Sequence, residues 1–327
     1  MLPIEPMRLG DLFDRTFRIT GRTAARSALI ILMLLVPACL LLVAGMSEFY
    51  ATLGEDLESI ASGQASTLED IPSVLLGLLG LCLPAVFLAD LAAELCVTTF
   101  TGAEMTGTPM AWQQALGRIA GIRLARAAGV VVLQVLAAGA VIVAPLFFLS
   151  LSGGDVGLML VGTVILLSAF IALIFLIIRW AFALTIIACE DAGVTDSLRR
   201  SWSLVGRSWW RVFGILLLFN ILASFAISLL TTPISLVGFW SFYKEYFAML
   251  GSAASGRPDP KAMAELISSM GTGVGVSISL SMLLFAFIRP VYTTVLYFDL
   301  RARNQEFGQT TETPDVGDKP IEFIELT

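Results

Sequence analysis

The sequence predicts an all-α integral membrane protein with six transmembrane helices, arranged as three parallel repeats of an amphipathic helix followed by two spans. Three observations carry this reading. Hydrophobic residues make up 57% of the 327 residues and charged residues only 14%, with mean hydropathy +0.87, whereas a soluble domain carries roughly a quarter of charged residues. Six apolar runs, at about 27–46, 73–100, 124–150, 156–188, 209–239 and 272–299, reach the ~20 residues that cross a hydrocarbon core at about 1.5 Å per residue. Residues 11–26 return 185 positions later as 196–211, each time running straight into a long apolar stretch; internal similarity of this kind marks a repeated architecture.

The first unit, about 6–100, opens on a helix that places Leu9, Leu12, Phe13, Thr16 and Phe17 on one face and Arg8, Asp11, Arg15, Arg18 and Arg22 on the other. That spacing suits a helix lying among lipid headgroups, with arginines toward anionic phosphates. The middle unit, about 104–188, is more diverged. Thr108 is its expected N-cap, Pro109 its first helical residue, and Trp112, Leu116 and Ile119 its apolar stripe. Its two spans are separated only by residues 150–155 with the Gly153-Gly154 pair, which predicts a tight antiparallel hairpin. In the third unit, about 190–303, Leu198, Trp202, Val205 and Trp209 oppose Arg199, Arg200, Ser203 and Arg207, with Thr195 as the expected cap. Two spans per unit make all three units enter the membrane from the same side, so the repeat is parallel rather than inverted. Together they form one membrane domain, 1–303, followed by an acidic tail, 304–327, of disordered composition.

Arginines set the orientation. Arg8, Arg15, Arg18, Arg22, Arg26, Arg118, Arg123, Arg126, Arg199, Arg200, Arg207, Arg211, Arg301 and Arg303 all fall on one side of the six runs. The opposite loops contain only Lys244, Arg257 and Lys261. The positive-inside rule then places both termini in the cytoplasm of a prokaryotic inner membrane. A cleavable signal is the competing reading, but 26 residues with Glu5, Asp11 and Asp14 precede the first run, unlike a short basic leader. The net charge of −6 comes largely from residues 47–72 and from the tail, and it points to no nucleic-acid partner. Lipids, and a protein contacted through the tail, are the partners expected.

Charges at bilayer depth cost roughly 2.5–3.5 kcal/mol each and invite a functional reading. Asp90 and Glu94 lie in the second run, Arg179 in the fourth and Arg289 in the sixth, each ten to fourteen residues before an acidic marker (Glu104, Glu190 or Asp299). Similar depth predicts that the second helices of the three units converge and bring these four charges together around a polar cavity facing the cytoplasm. Two other readings stand: a structural ion cluster that only sets helix register, or arginines that snorkel separately. Similarly, Arg15, Arg18, Arg22, Arg199, Arg200 and Arg207 are either headgroup ligands or residues that only satisfy topology.

Cys39, Cys82, Cys96 and Cys189 lie in or at the ends of apolar runs without metal-ligand spacing, as small buried hydrophobes do. Residues 271–275 hold three glycines but neither a preceding strand nor a following lysine, so they read as a close helix contact rather than a phosphate loop. The chain contains no histidine, which removes Ser-His-Asp, Cys-His and HExxH zinc chemistry. No metal, cofactor or enzymatic activity is expected.

Residues 6–18, 196–211 and 297–307 resemble the membrane domain associated with glycerophosphoryl diester phosphodiesterases. In some relatives of that family the membrane domain is fused to a catalytic barrel with histidines and metal-binding carboxylates. The resemblance here spans 6–307 and includes no such barrel, so it implies a membrane protein without that activity. The non-enzymatic module binding lipid or a partner protein is the first functional expectation, and a small-solute or lipid transporter is the second.

The orientation has a direct test. A reporter fused at Gly63 is expected to read out the non-cytoplasmic side, and a cytoplasmic signal there would overturn the assignment.

Overall fold

The computed structural model describes residues 6–63, 71–108, 110–151, 153, 155–253 and 260–304. Among them all regular structure is helical. In chain order the helices are α1 (Leu9–Ala61), α2 (Ile71–Gly77), a π-helical stretch (Leu78–Cys82), α3 (Leu83–Thr106), α4 (Trp112–Ile119), α5 (Ile122–Ser150), α6 (Val156–Arg179), α7 (Ala183–Glu190), α8 (Val194–Gly206), α9 (Trp209–Gly238), α10 (Trp240–Ala253), α11 (Pro260–Ser268) and α12 (Met270–Arg303). Six helical stretches are long and apolar enough to cross a membrane.

The sequence-based description of the first unit needs correction. No separate helix precedes the first span, because α1 runs unbroken for 53 residues, about 80 Å at ~1.5 Å per residue. Thr16, Thr20 and Thr23 donate their hydroxyls to carbonyls four residues back and keep the polar segment helical. The same helix extends to Ala61, well into what reads as a loop at 47–72. Its buried stripe is Leu12, Thr16, Ile19, Thr23 and Ser27, while Leu9 and Phe17 stay exposed. In the other units the connection does break: Gly121 takes φ +87° between α4 and α5, a conformation that disfavours side chains, and Arg207-Ser208 separates α8 from α9.

The expected caps also shift. Gly193 rather than Thr195 precedes α8, and α4 starts at Trp112, its entry fixed by the Ala111 N–H donating to Gln114 Oε1 at 3.2 Å. Thr108 pairs instead with the Thr106 hydroxyl; Pro109 lies outside the described residues. Asp155 caps α6 by accepting from the Leu158 N–H at 2.9 Å, closing the α5–α6 hairpin. Helices α10 and α11 fill much of the connection between the fifth and sixth runs.

Helix α12 is the hub, packed on α1, α3 and α9. Its glycines allow the closest approach: a Cβ at Gly271 would sit 2.7 Å from the Met46 carbonyl oxygen, and one at Gly275 would sit 2.8 Å from Val43 Cα. Backbones this close gain packing where side-chain hydrophobicity offers nothing against lipid. Lower on the same seam, Cys39 and Ser279 exchange contacts with each other's carbonyls at 3.7 and 3.3 Å.

The arginine-bearing end is closed by ion pairs that recur along the chain. Arg26 lies 3.8 Å from Glu104; Arg123 and Arg126 reach Asp191 at 2.9 and 3.1 Å; Arg211 reaches Asp299 at 3.0 Å. The Arg123 hydrogen bond is the main cause that holds the Asp191 carboxyl below its usual range. Asp299 is fully buried and also takes Arg303 and the Met7 N–H, so the N-terminal segment is pinned to the end of α12. All four cysteines are free thiols.

Gly271→Val would drive a side chain into the backbone of α1. The variant is expected to lose about 1–3 kcal/mol of stability, read as a lower Tm of the purified protein; an unchanged Tm would mean that the seam is not closely packed.

Candidate functional site

Asp90 and Glu94 stand four residues apart on α3 and therefore share one face. Across from them, Arg289 of α12 directs Nη2 to Glu94 Oε2 at 2.5 Å and to Asp90 Oδ2 at 3.5 Å. Arginine keeps its proton in proteins, so this contact is an ion pair, not a neutral hydrogen bond. Pro290 follows Arg289 inside α12, and the Thr293 and Thr294 hydroxyls donate to the Arg289 and Pro290 carbonyls in the next turn.

The three charges are among the residues lining a cavity of about 660 Å³ bordered by α3, α5, α6, α7, α9 and α12. Its walls are mainly apolar and include Phe87, Trp180, Phe213 and Leu216; polar groups enter at Gln134, Asn220, Tyr292 and Thr293. Tyr292 donates its hydroxyl to Asn220 Oδ1 at 3.2 Å, and Asn220 donates to the Leu216 carbonyl at 2.8 Å. This is the composition of a ligand pocket: mostly apolar, with a few convergent polar groups.

A broken helix shapes one wall. The fourth run is one candidate span, Val156–Glu190, interrupted between α6 and α7 at residues 180–182. Freed backbone groups must be satisfied inside the protein at membrane depth, and here two side chains do so. Ser201 of α8 donates to the Arg179 carbonyl at 2.8 Å and accepts the Phe182 N–H at 3.2 Å, while Gln134 of α5 donates to the Trp180 carbonyl at 3.2 Å. The break brings Trp180 and Ala181 to the cavity wall.

A family model described as Domain of unknown function (DUF7847) matches residues 14–300. The chain belongs to this family. The match takes in every helix bordering the cavity, so the pocket lies within the DUF7847 domain. Searches of curated proteins and of solved structures return no match.

Arg179 does not join the other three charges. The break that follows it turns its side chain toward α8, where Nη1 donates to the Trp202 carbonyl at 2.9 Å and the guanidinium lies 4.7 Å from the Trp202 ring and 5.0 Å from the Phe175 ring. It is a cation held between aromatic faces, not a member of the cavity.

The six arginines expected at headgroups divide. Arg200 binds Glu190 at 2.5 Å, which also accepts the Tyr297 hydroxyl, and Arg15 turns back to the Met7 sulfur. Arg18 pairs with Asp14 at an exposed position, and Arg22, Arg199 and Arg207 are exposed. Among the described residues no cluster of metal-ligating side chains occurs. Ser201 was not singled out from the sequence as a site residue; the available signal was its match to Thr16 at the 185-residue offset.

Gln134→Leu would remove one of two donors to the Trp180 carbonyl and leave the Ala183 N–H at 3.1 Å. A loss of about 0.5–1.5 kcal/mol is expected, measured by unfolding in detergent, and unaltered stability would show that the break does not depend on α5.

Proposed function

We propose that this protein is a non-enzymatic integral membrane module that binds a lipid or small amphiphile in the cavity bounded by α3, α5, α7, α9 and α12. The observation that carries the reading is the pocket itself: about 660 Å³, apolar over most of its wall and carrying the charges of Asp90, Glu94 and Arg289. An amphiphile matches that division, with its tail against Leu216 and Phe213 and its polar end toward the ion pair. The absence of histidine from the sequence removes histidine-dependent catalysis and favours binding.

A second reading, transport, is favoured by a specific feature. Asp90 and Arg289 also line a separate cavity of about 410 Å³ that continues along α12 past Ser281 and Ser277. The ion pair thus stands between two spaces, where a change in its pairing would open one toward the other.

The proposed setting is a prokaryotic inner membrane with both termini cytoplasmic. Its support is the gathering of Arg26, Arg123, Arg126, Arg211, Arg301 and Arg303 at one end of the bundle. The three-unit repeat is supported by the recurrence of an arginine before the first span pairing with an acid after the second: Arg26 with Glu104, Arg126 with Asp191, Arg211 with Asp299. Exposed Arg22, Arg199 and Arg207 suit anionic headgroups on the proposed amphipathic segments. Residues 305–327, outside the described residues, supply acidic side chains for a protein partner.

Native mass spectrometry of the protein in mild detergent tests the pocket. A bound lipid or amphiphile is expected on the wild type, and Ala138→Trp, which fills the cavity from α5, should reduce its occupancy by about tenfold. Equal occupancy in both proteins, or none in either, would refute the proposal.

A further inference from the structure

The three charges in the cavity do not balance. Two carboxylates face one guanidinium, and no other lysine or arginine lines the pocket. With both acids ionised the cluster carries an uncompensated negative charge in apolar surroundings, where an unpaired charge is costly. The two acids are not equivalent. Glu94 holds Arg289 at 2.5 Å and is the more enclosed, 14% exposed; Asp90 meets the same Nη2 only at 3.5 Å and is 26% exposed. Asp90 is therefore the more weakly paired and more accessible of the two carboxylates, and it lines both this cavity and the smaller one along α12.

Aromatic side chains line the same cavity: Phe87 stands one turn before Asp90 on α3, and Trp180, Phe213 and Tyr292 come from three other segments of the wall. A carboxylate and aromatic side chains in one mainly apolar cavity are a setting that attracts an alkylated cation. An anionic headgroup would instead meet the surplus negative charge.

From this arrangement we infer that the cavity selects amphiphiles with a cationic, ammonium-type headgroup, which docks against Asp90 while the alkyl portion lies along the apolar wall. The inference rests on the pocket being a ligand site, as proposed above, and adds the charge of the ligand. Glu94 and Arg289 then act as a fixed pair that holds α3 against α12, and Asp90 acts as the recognition group.

The test uses the full chain in phosphatidylcholine nanodiscs and three radiolabelled probes of equal chain length: decyltrimethylammonium, decyl phosphate and decanol. The ammonium probe is expected to bind saturably and at least about tenfold more tightly than the other two. Asp90→Asn should remove that preference, the ammonium probe then binding no more tightly than decanol. Equal affinity for the three probes, a preference for the phosphate, or an ammonium preference that survives Asp90→Asn would overturn the inference and leave the pocket reading intact. Saturable binding of none of the probes, relative to empty nanodiscs, would bring down the pocket reading and the inference with it. The wild-type headgroup series decides the matter even where Asp90→Asn fails to assemble.

Discussion

A guanidinium that cannot lose its proton must find a polar or aromatic partner when it is placed among apolar helices, and for Arg289 that partner is a pair of carboxylates that joins α12 to α3. Arg289 meets Glu94 at 2.5 Å and Asp90 at 3.5 Å, and the pairing dictates which faces of the two helices meet. The pair is part-buried, and removing one partner leaves the other charge uncompensated among apolar side chains, which is destabilising. Glycine contacts between α12 and α1, and the stack of Phe219 on Tyr292 between α9 and α12, add packing around the same axis. The cavity is the space that remains on the other side of the charged pair, bounded by helices that cannot close in without stripping Asp90 of its opening.

The second constraint is the backbone. Inside a membrane every freed N–H and C=O needs a partner from the protein, and the break between α6 and α7 meets that condition with Ser201 and Gln134. These two side chains belong to α8 and α5, so the break is tied to the helix at the arginine-bearing end and to the neighbouring hairpin. At that end, Asp299 gathers Arg211, Arg303 and the Met7 backbone. The wall of the pocket is thus connected through hydrogen bonds to the closure of the bundle.

Much of the architecture was legible because apolar length is a strong signal: all six runs correspond to helices able to span a bilayer. Asp90, Glu94 and Arg289 were legible for the opposite reason, since a charge within an apolar run is too costly to be incidental. Arg179 stood out by the same rule yet sits elsewhere. Counting residues from an acidic marker measures depth along a helix, not the direction a side chain takes, and the break after Arg179 redirects it toward Trp202. The continuity of α1 was hidden because a run of arginines signals a membrane boundary without ending a helix, and Gly21 does not interrupt this one. The caps of α4 and α8 were misplaced because threonine near a helix start competes with backbone amides and glycine whose geometry the sequence does not display. Helices α10 and α11 lack the apolar length that made the spans visible.

The most direct test of the membrane-depth pairing is a charge exchange, with the folded fraction of each variant measured by size-exclusion chromatography in one detergent. Glu94→Arg and Arg289→Glu should each abolish most of the monodisperse protein, and the double exchange should restore it, because attraction between the two positions is regained with the signs reversed. A double variant no better than the poorer single would mean that α3 and α12 do not depend on this pair, and the arrangement described here would fail with it.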